Sequence, residues 1–496
     1  MRSTSAFCLM FAMLLLGNGC HRVKATDAVE VLVATDPATL DPRFATRALD
    51  VKLTRLIHAG LVSLDPDTLE PRPSLAKSIV RNGLALHIEL DESARFHSGK
   101  PLEASDVCAT IEAIVDPRTQ SPHRSVVQAF TSCVSSGSHA LELTLSGPRG
   151  SFMSDLEIPI LRADEARTLP RADGSLDGLG PFSIASNHAG ALELAPARYT
   201  GTSTRMPRYP LVIRTVHDEN ARAMRLLAGR SEIAPNAFSP TLLRGFTEKQ
   251  HDLFVTKRVG SNITYLLTRC DRTPWDRPVT RRALSLAIDR RLIVQQLLSG
   301  MAKPAKWLVP DGHWAAPNDL AELPYDPVLA REQLSSLGPV TLLTSTDRSR
   351  VLVARAIAQM LTDVGLTTEV VPLELGLLLS RLDAGQFSLA ILQIPEVTEP
   401  NILAWFFHPR GIGTDQNLGR NRARYRSATA AQLLDDASNE FDPAERRRNY
   451  VELAKVMLSD MPVIPLWHED QIVVARGRGR RFVPSAEGRW STLAEL

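Results

Sequence analysis

Residues 84–114 read LALHIELDESARFHSGKPLEASDVCATIEAI and contain both of the periodicities on which the fold depends. Residues 84–90 alternate between apolar and other side chains, which predicts a strand with one buried face. Residues 105–114 begin with Ser-Asp and are followed by Asp116-Pro117, which predicts a helix with defined ends. A strand and a helix in such close succession indicate a mixed α/β protein.

The same succession of strands and helices extends over most of the chain. Further strands are predicted at residues 29–33, 141–145, 212–216, 263–267, 368–371 and 463–467. Further helices are predicted at residues 218–227, 278–297, 351–361 and 442–458. The mixed order, with connections of varied length, predicts two lobes that each have a sheet of their own.

Length and charge exclude several classes of protein. The chain has 496 residues, which is enough for two or three compact units. Its 57 basic and 55 acidic side chains give a net charge of +2. This balance argues against a nucleic-acid partner, whose phosphates require an excess of Lys and Arg. After the amino terminus, no apolar run approaches the roughly 20 residues that a membrane-spanning helix needs.

The first 25 residues are predicted to be a signal peptide. Arg2 precedes an apolar stretch at residues 6–16, which is followed by small residues, as in secretory signals. Two processing routes remain open. Cys20, preceded by Gly, resembles the acylated cysteine of a bacterial lipoprotein, which would anchor the protein to a membrane. Cleavage after Ala25 is the alternative, and both routes take the protein out of the cytoplasm.

The cysteines fit an oxidising compartment. Cys108 and Cys133 are close enough in sequence to form a disulfide within one unit, and Cys270 would then be unpaired. The alternative is that all three are buried thiols.

Motifs for catalysis, metal binding and phosphate binding are absent. The sequence has no GxSxG, HExxH or paired CxxC motif. Gly99-Lys100 is followed by Pro101, where a phosphate loop needs Ser or Thr. Residues 468–470, His-Glu-Asp, follow a strand, and neighbouring residues of a strand point to opposite faces. We therefore predict a protein that is not an enzyme and has no cofactor and no metal.

Several segments, taken in order, resemble the family 5 extracellular solute-binding proteins, the peptide-type binding components of ABC importers. The segments are residues 39–42 (TLDP), 59–62 (AGLV), 65–71 (DPDTLEP), 95–102 (RFHSGKPL) and 104–107 (ASDV). Residues 95–107 resemble the family signature most specifically, and the resemblance covers nearly all of residues 28–475.

The resemblance implies a class II, cluster C type periplasmic-binding-protein fold, a two-lobed α/β clamp with an extra subdomain in lobe I. The implied boundaries are 27–47, 178–261 and 463–496 for lobe I, 48–177 for the subdomain and 262–462 for lobe II. Crossings of the chain near Asn262 and Pro462 would form the hinge.

The implied function is capture of a peptide or related small ligand in the periplasm, by a monomer, for permease subunits in the inner membrane. The alternatives are a secreted hydrolase or transferase with a two-lobed cleft, and a ligand sensor that uses the same clamp.

The resemblance also implies where the ligand binds. Thr46, Arg47 and Ala48 are expected beside the ligand backbone. In lobe II, peptide-binding members carry a Trp-x-x-Asp segment whose Asp pairs with the ligand ammonium. Here the matching residues are Gln393, Ile394, Pro395 and Glu396. Glu396 keeps the carboxylate, and its alternative role is that of an exposed loop acid.

Arg269 is a further candidate. It stands where the family commonly has Asn, and a guanidinium facing the cleft would bind a carboxylate with two hydrogen bonds. The alternative is a surface arginine paired with Asp271.

Overall fold

The computed structural model describes residues 27–201, 206–248, 252–414 and 419–496. The predicted signal peptide, including Cys20, lies outside the described residues, so the choice between lipidation and cleavage after Ala25 stays a prediction. Within the described ranges, no helix has both the length and the apolar character needed to cross a membrane.

Strands and helices alternate as the sequence predicts. The strands are β1 Val29–Val33, β2 Val62–Leu64, β3 Pro71–Pro73, β4 Ala76–Asn82, β5 Ala85–Leu90, β6 Phe130–Ser135, β7 Ala140–Leu145, β8 Phe182–His188, β9 Ala191–Pro196, β10 Leu211–Thr215, β11 Ile233–Pro235, β12 Phe254–Val259, β13 Ile263–Thr268, β14 Ala302–Pro304, β15 Val340–Ser345, β16 Thr368–Leu373, β17 Leu389–Ile394 and β18 Val463–Ala475. The helices are α1 Ala48–Ile57, α2 Ala104–Val115, α3 Arg124–Val127, α4 Phe152–Asp155, α5 Ala163–Ala166, α6 Glu219–Leu227, α7 Pro240–Glu248, α8 Pro278–Leu286, α9 Arg290–Gln296, α10 Pro327–Leu334, α11 Arg348–Asp363, α12 Leu375–Asp383, α13 Ile402–Phe407, α14 Ala428–Asn439 and α15 Pro443–Asp460.

One predicted helix is divided in two. Residues 278–297 form α8 and α9 rather than a single helix. The break occurs because Asp289 caps a new helix, with its carboxylate accepting a hydrogen bond from the Leu292 N–H at 2.9 Å. An apolar periodicity alone does not reveal such an internal cap.

A 12-stranded sheet joins the two lobes. In lobe I, β1 pairs in parallel with β10 and β11, and β9 and β8 extend the sheet at one edge. In lobe II, β15 pairs in parallel with β16 and β17, and β13 lies antiparallel to β17. Each half has helices packed against it, so the mixed α/β prediction is confirmed.

The long strand β18 belongs to both lobes. Its residues 463–467 pair with β13 of lobe II, whereas residues 470–475 pair with β12 of lobe I. The second crossing therefore lies at about residues 468–470, and the predicted position at Pro462 is wrong. Pro462 ends a helix, but the strand that follows first completes the lobe II sheet. Asn262, where the other crossing is predicted, lies between β12 and β13.

The extra subdomain has its own four-stranded sheet, in the order β4-β5-β7-β6. Cys108 on α2 and Cys133 on β6 form a disulfide that ties the helix to the sheet, and Cys270 is a free thiol. The subdomain begins later than predicted. Helix α1 packs through Leu53 and Leu56 into the lobe I core, and Ala59 is the first residue in the subdomain core. The boundary at 48 is therefore wrong by about ten residues.

Candidate ligand-binding site

A cavity of about 480 Å³ lies between the lobes, where parallel strands of both sheets end. Lobe I contributes residues after β11 and from β18, and lobe II contributes residues at the ends of β15 and β17. The polar residues that line it include Asn236, Gln471, Arg350 and Gln393. The carboxyl ends of parallel strands are the usual place for a ligand in such sheets. We call this space and the adjoining rim at Glu396 the cleft.

Gln393 and Ile394 lie on opposite faces of β17, as strand geometry requires. The side-chain oxygen Oε1 of Gln393 accepts a hydrogen bond from Arg350 Nη2 at 3.0 Å, and its side-chain nitrogen Nε2 donates to Thr264 Oγ1 at 3.3 Å. Ile394 is 1% exposed and packs into the lobe II core. Gln393 therefore lines the cleft and holds Arg350 there, whereas the Ile394 side chain is turned away from it.

Arg350 was not predicted from the sequence. It lies in the first turn of α11, where the Asp347 carboxylate accepts a hydrogen bond from the Arg350 N–H at 3.0 Å. The sequence around Arg350 predicts only the start of a helix. It cannot show that the guanidinium is held by Gln393, which is 43 residues later in the chain. Arg350 gives the cleft a cation that suits a carboxylate group.

Glu396 lies at the rim, directly after the cavity-lining Pro395. Among the described residues, its carboxylate has no hydrogen bond and no ion pair, and the residue is half-buried. Burial raises the pKa of Glu396, and the positive charge of Lys52 on α1 partly opposes that rise. Glu396 is therefore not simply an exposed loop acid.

The carboxy-terminal segment faces Glu396 from lobe I. Glu487 is 4% exposed, and burial, reinforced by the negative charge of Glu396, raises its pKa to about 7. The Lys52 ammonium lies 5.6 Å from the centre of the Trp490 ring. Glu487 was missed because residues 484–490 contain no motif, and only the fold brings them to the cleft.

The predicted segment at residues 46–48 does not form a strand. Arg47 has extended backbone angles, with φ −73° and ψ 144°, and precedes α1 as its N-cap residue. Ala48 is the first residue of that helix, so its backbone is not an open edge for β-type pairing. Thr46 and Arg47 are exposed, and their contact with a ligand stays a prediction.

Arg269 is already occupied. Its guanidinium binds Asp271 through two hydrogen bonds of 2.6 and 2.5 Å, and it donates a third to the Gly385 carbonyl at 2.8 Å. The pairing with Asp271 is therefore the arrangement observed, but Arg269 is 5% exposed and is not on the surface. Because Nε, Nη1 and Nη2 of Arg269 all have partners, we do not propose that Arg269 binds a ligand carboxylate.

A second, larger cavity of about 820 Å³ lies between the subdomain and lobe II. Phe152 from the subdomain and Trp314 and Phe441 from lobe II give it an apolar lining. Direct contacts close the same interface, among them a 2.9 Å hydrogen bond from Ser154 Oγ to Glu399 Oε2. The lobes therefore touch at the subdomain as well as at the hinge.

The cleft thus contains carboxylates, cations and amides. Within residues 27–201, 206–248, 252–414 and 419–496, no group of three His, Cys, Asp or Glu side chains is placed to hold a metal ion. The carboxylates and cations of the cleft together are suited to a small ligand that has both charges.

A family model for bacterial extracellular solute-binding proteins, family 5 (middle), matches residues 70–414. The chain belongs to this family. The resemblance seen in the sequence and the predicted two-lobed fold are therefore confirmed. The predicted role, as the solute-binding component of an ABC importer, is confirmed at the level of the family.

Two relatives and one solved structure show how far the likeness extends. The peptide transport periplasmic protein SapA of Salmonella typhimurium is 27% identical over 470 residues, covering 86% of this chain and 84% of SapA. The glutathione-binding protein GsiB of Escherichia coli K12 is 24% identical, covering 89% of each chain. The ABC transporter substrate-binding protein CtaP of Listeria monocytogenes has a TM-score of 0.82 at 18% identity, covering 95% of this chain and 99% of CtaP. The structural likeness supports the fold.

Proposed function

We propose that the protein binds a short peptide, or a related small ligand with a free amino terminus, between its lobes and delivers it to ABC permease subunits. The observation that carries this proposal is Glu396, a half-buried carboxylate at the cleft rim without an ion pair among the described residues. An enclosed charge needs a charged partner, because burial without one is very costly. A ligand ammonium is such a partner. The names of SapA and GsiB, which refer to peptide transport and glutathione, support the same class of ligand.

The other end of the ligand is assigned to Arg350. Its guanidinium is held in the cleft by Gln393 and suits a carboxylate. Gln393 and Glu396 are three residues apart, so their backbones are separated by at most about 10 Å. These two neighbouring points suit a short zwitterion. Contacts of one ligand with both lobes would stabilise a closed state by a hinge motion.

The proposal extends to the chemistry, the location and the oligomeric state of the protein. The protein releases its ligand unchanged and is not an enzyme, since the cleft has no nucleophile, base and metal arrangement in its described part. It is exported to the periplasm, as the names of its relatives suggest, and is anchored there through a lipidated Cys20. It acts as a monomer.

Native mass spectrometry of the protein, purified without refolding, tests the ligand assignment. We expect a co-purified molecule with a free amino group, which raises the midpoint of thermal unfolding when it is added back. The added molecule is expected to be recovered unchanged after prolonged incubation. Sustained turnover would favour the hydrolase or transferase alternative, and a ligand without an amino group would contradict the role of Glu396.

A further inference from the structure

Two glutamates from opposite lobes lie on segments that one hinge residue holds together. The Ser261 carbonyl accepts a hydrogen bond from the Val397 N–H at 2.8 Å, and the Ser261 N–H donates to the Ala486 carbonyl at 2.9 Å. Glu396 directly precedes Val397, and Glu487 directly follows Ala486. The two carboxylates are therefore on neighbouring backbone segments, one from each lobe, beside the hinge.

Polar groups around this point have hydrogen-bonding capacity that the described residues do not use. Glu487 Oε2, Ser261 Oγ and Trp490 Nε1 are all buried and have no hydrogen-bond partner in the described chain. The three residues are 4%, 0% and 3% exposed. A buried polar group without a partner costs about 1–3 kcal/mol. Such groups, on segments that meet at the hinge, are suited to receive a polar ligand group.

We propose that Glu487 is the second carboxylate of the ligand site, so that the cationic group of the ligand lies between Glu396 of lobe II and Glu487 of lobe I. This rests on the proposed function and adds a residue on the opposite wall. Two negative charges on facing walls repel each other; Lys52, which interacts with both, offsets part of this repulsion, and a ligand cation between them offsets more of it. Closure around a ligand that lacks this cation is therefore disfavoured.

The charged groups around Glu487 determine how the net charge of the site changes with the proton of Glu487. Four cations face it from α1, β12 and the carboxy-terminal segment: Lys52, Arg55, Arg258 and Arg489. Arg489 Nε lies 3.5 Å from Glu487 Oε1, and all three arginines also have ion pairs with Glu157 or Asp67. Glu157, Asp67, Glu396 and an ionised Glu487 give this group four negative charges, which balance its four positive charges. A proton on Glu487 leaves this group at a net charge of one positive unit.

A ligand ammonium is thus expected to replace the proton of Glu487. Burial and the Glu396 charge raise the pKa of Glu487 to about 7, so the empty site holds this proton over part of the physiological range. When the ammonium binds, the proton passes to solvent, and the net charge of the group stays the same. Below its pKa the carboxyl is mostly protonated, so affinity falls as the pH falls. Between pH 7.0 and 5.5 the expected decrease is about 15-fold, from the usual tenfold change in ionised fraction per pH unit.

The test uses the full mature protein and a mixed-sequence tripeptide pool with free amino termini. Over pH 5.5 to 7.0 the α-amino groups stay protonated, because their pKa values are about 8. Affinity is measured from the rise in the unfolding midpoint with pool concentration, and proton release is measured in weakly buffered solution. The variant is Glu487→Gln, and the matched control is Glu495→Gln, an exposed acid near the same terminus.

We expect the wild type and Glu495→Gln to lose affinity by about 15-fold and to release close to one proton per ligand at pH 6. Glu487→Gln is expected to bind more weakly at pH 7.0 and to show a much smaller dependence on pH. The same pH profile in Glu487→Gln as in the wild type would overturn the role of Glu487 while leaving the proposed function in place. Failure of the wild type to bind the pool at any pH would overturn both. If Glu487→Gln does not fold, the number of protons that the wild type releases per bound ligand at pH 6 is the test. A number near zero would overturn the role of Glu487.

Discussion

Glu396 and Glu399 are three residues apart in the same loop, and their surroundings differ completely. Glu399 pairs with Arg446 at 2.5 Å and accepts a hydrogen bond from Ser154 of the subdomain at 2.9 Å. Glu396 has no such partner among the described residues and faces Lys52 and Glu487 across the cleft. An acid with partners stabilises the fold, whereas a half-buried acid without them is available to a ligand.

The largest effect is expected when the charge of Glu396 is removed. Glu396→Gln should weaken a ligand with a free amino terminus by on the order of 30- to several-thousand-fold, corresponding to roughly 2–5 kcal/mol. The free energy of unfolding of the empty protein should stay nearly unchanged, because no partner is lost. Calorimetric titration with the co-purified ligand measures the affinity, and Glu396→Asp should lose much less.

Glu399→Gln is the matched control and should show the opposite behaviour. Breaking the pair leaves the Arg446 guanidinium, which is 6% exposed, without its carboxylate. We expect the free energy of unfolding to fall by about 3 kcal/mol, with a small effect on affinity. Denaturant titration of the empty variant measures this loss. A variant that unfolds like the wild type but binds poorly would reverse the roles that the structure gives to the two acids.

The smallest effect is expected at Gln393, on the same rim. Gln393→Ala removes the hydrogen bond that holds Arg350 in the cleft. The expected loss is about 1 kcal/mol, or roughly fivefold in affinity, for a ligand with a free carboxylate. A ligand whose carboxylate is amidated should be nearly insensitive to the change. Equal losses for the two ligands would show that Arg350 does not bind the carboxylate.

The sequence predicted the strands and helices well because each has a local cause. The alternation at residues 84–90 produces β5. Helix α2 begins at Ala104, slightly before the predicted Ser105-Asp106 start, because Glu103 and Asp106 form a capping box. Errors occurred where a distant partner decides the outcome. Strand β18 continues past its predicted end because it pairs with β13 and then with β12.

The site was only partly predictable for the same reason. Glu396 and Gln393 were placed at the cleft through the resemblance of their own segment, and their contact with a ligand stays a prediction. Arg350 and Glu487 were missed, because they reach the cleft through contacts with residues far away in the chain. For Arg269 the sequence left a ligand role and a pair with Asp271 open, and the structure shows the pair.

The most direct test of the account is a cycle that combines Glu396→Gln with acetylation of the ligand amino group. Calorimetric titration would measure the binding of the free and the acetylated ligand to both the wild type and the variant. The affinity of the free ligand should fall by at least about 30-fold on Glu396→Gln. The acetylated ligand should bind both proteins equally and weakly. Equal losses for the free and the acetylated ligand would contradict it, because the carboxylate of Glu396 would then not be the partner of the ammonium.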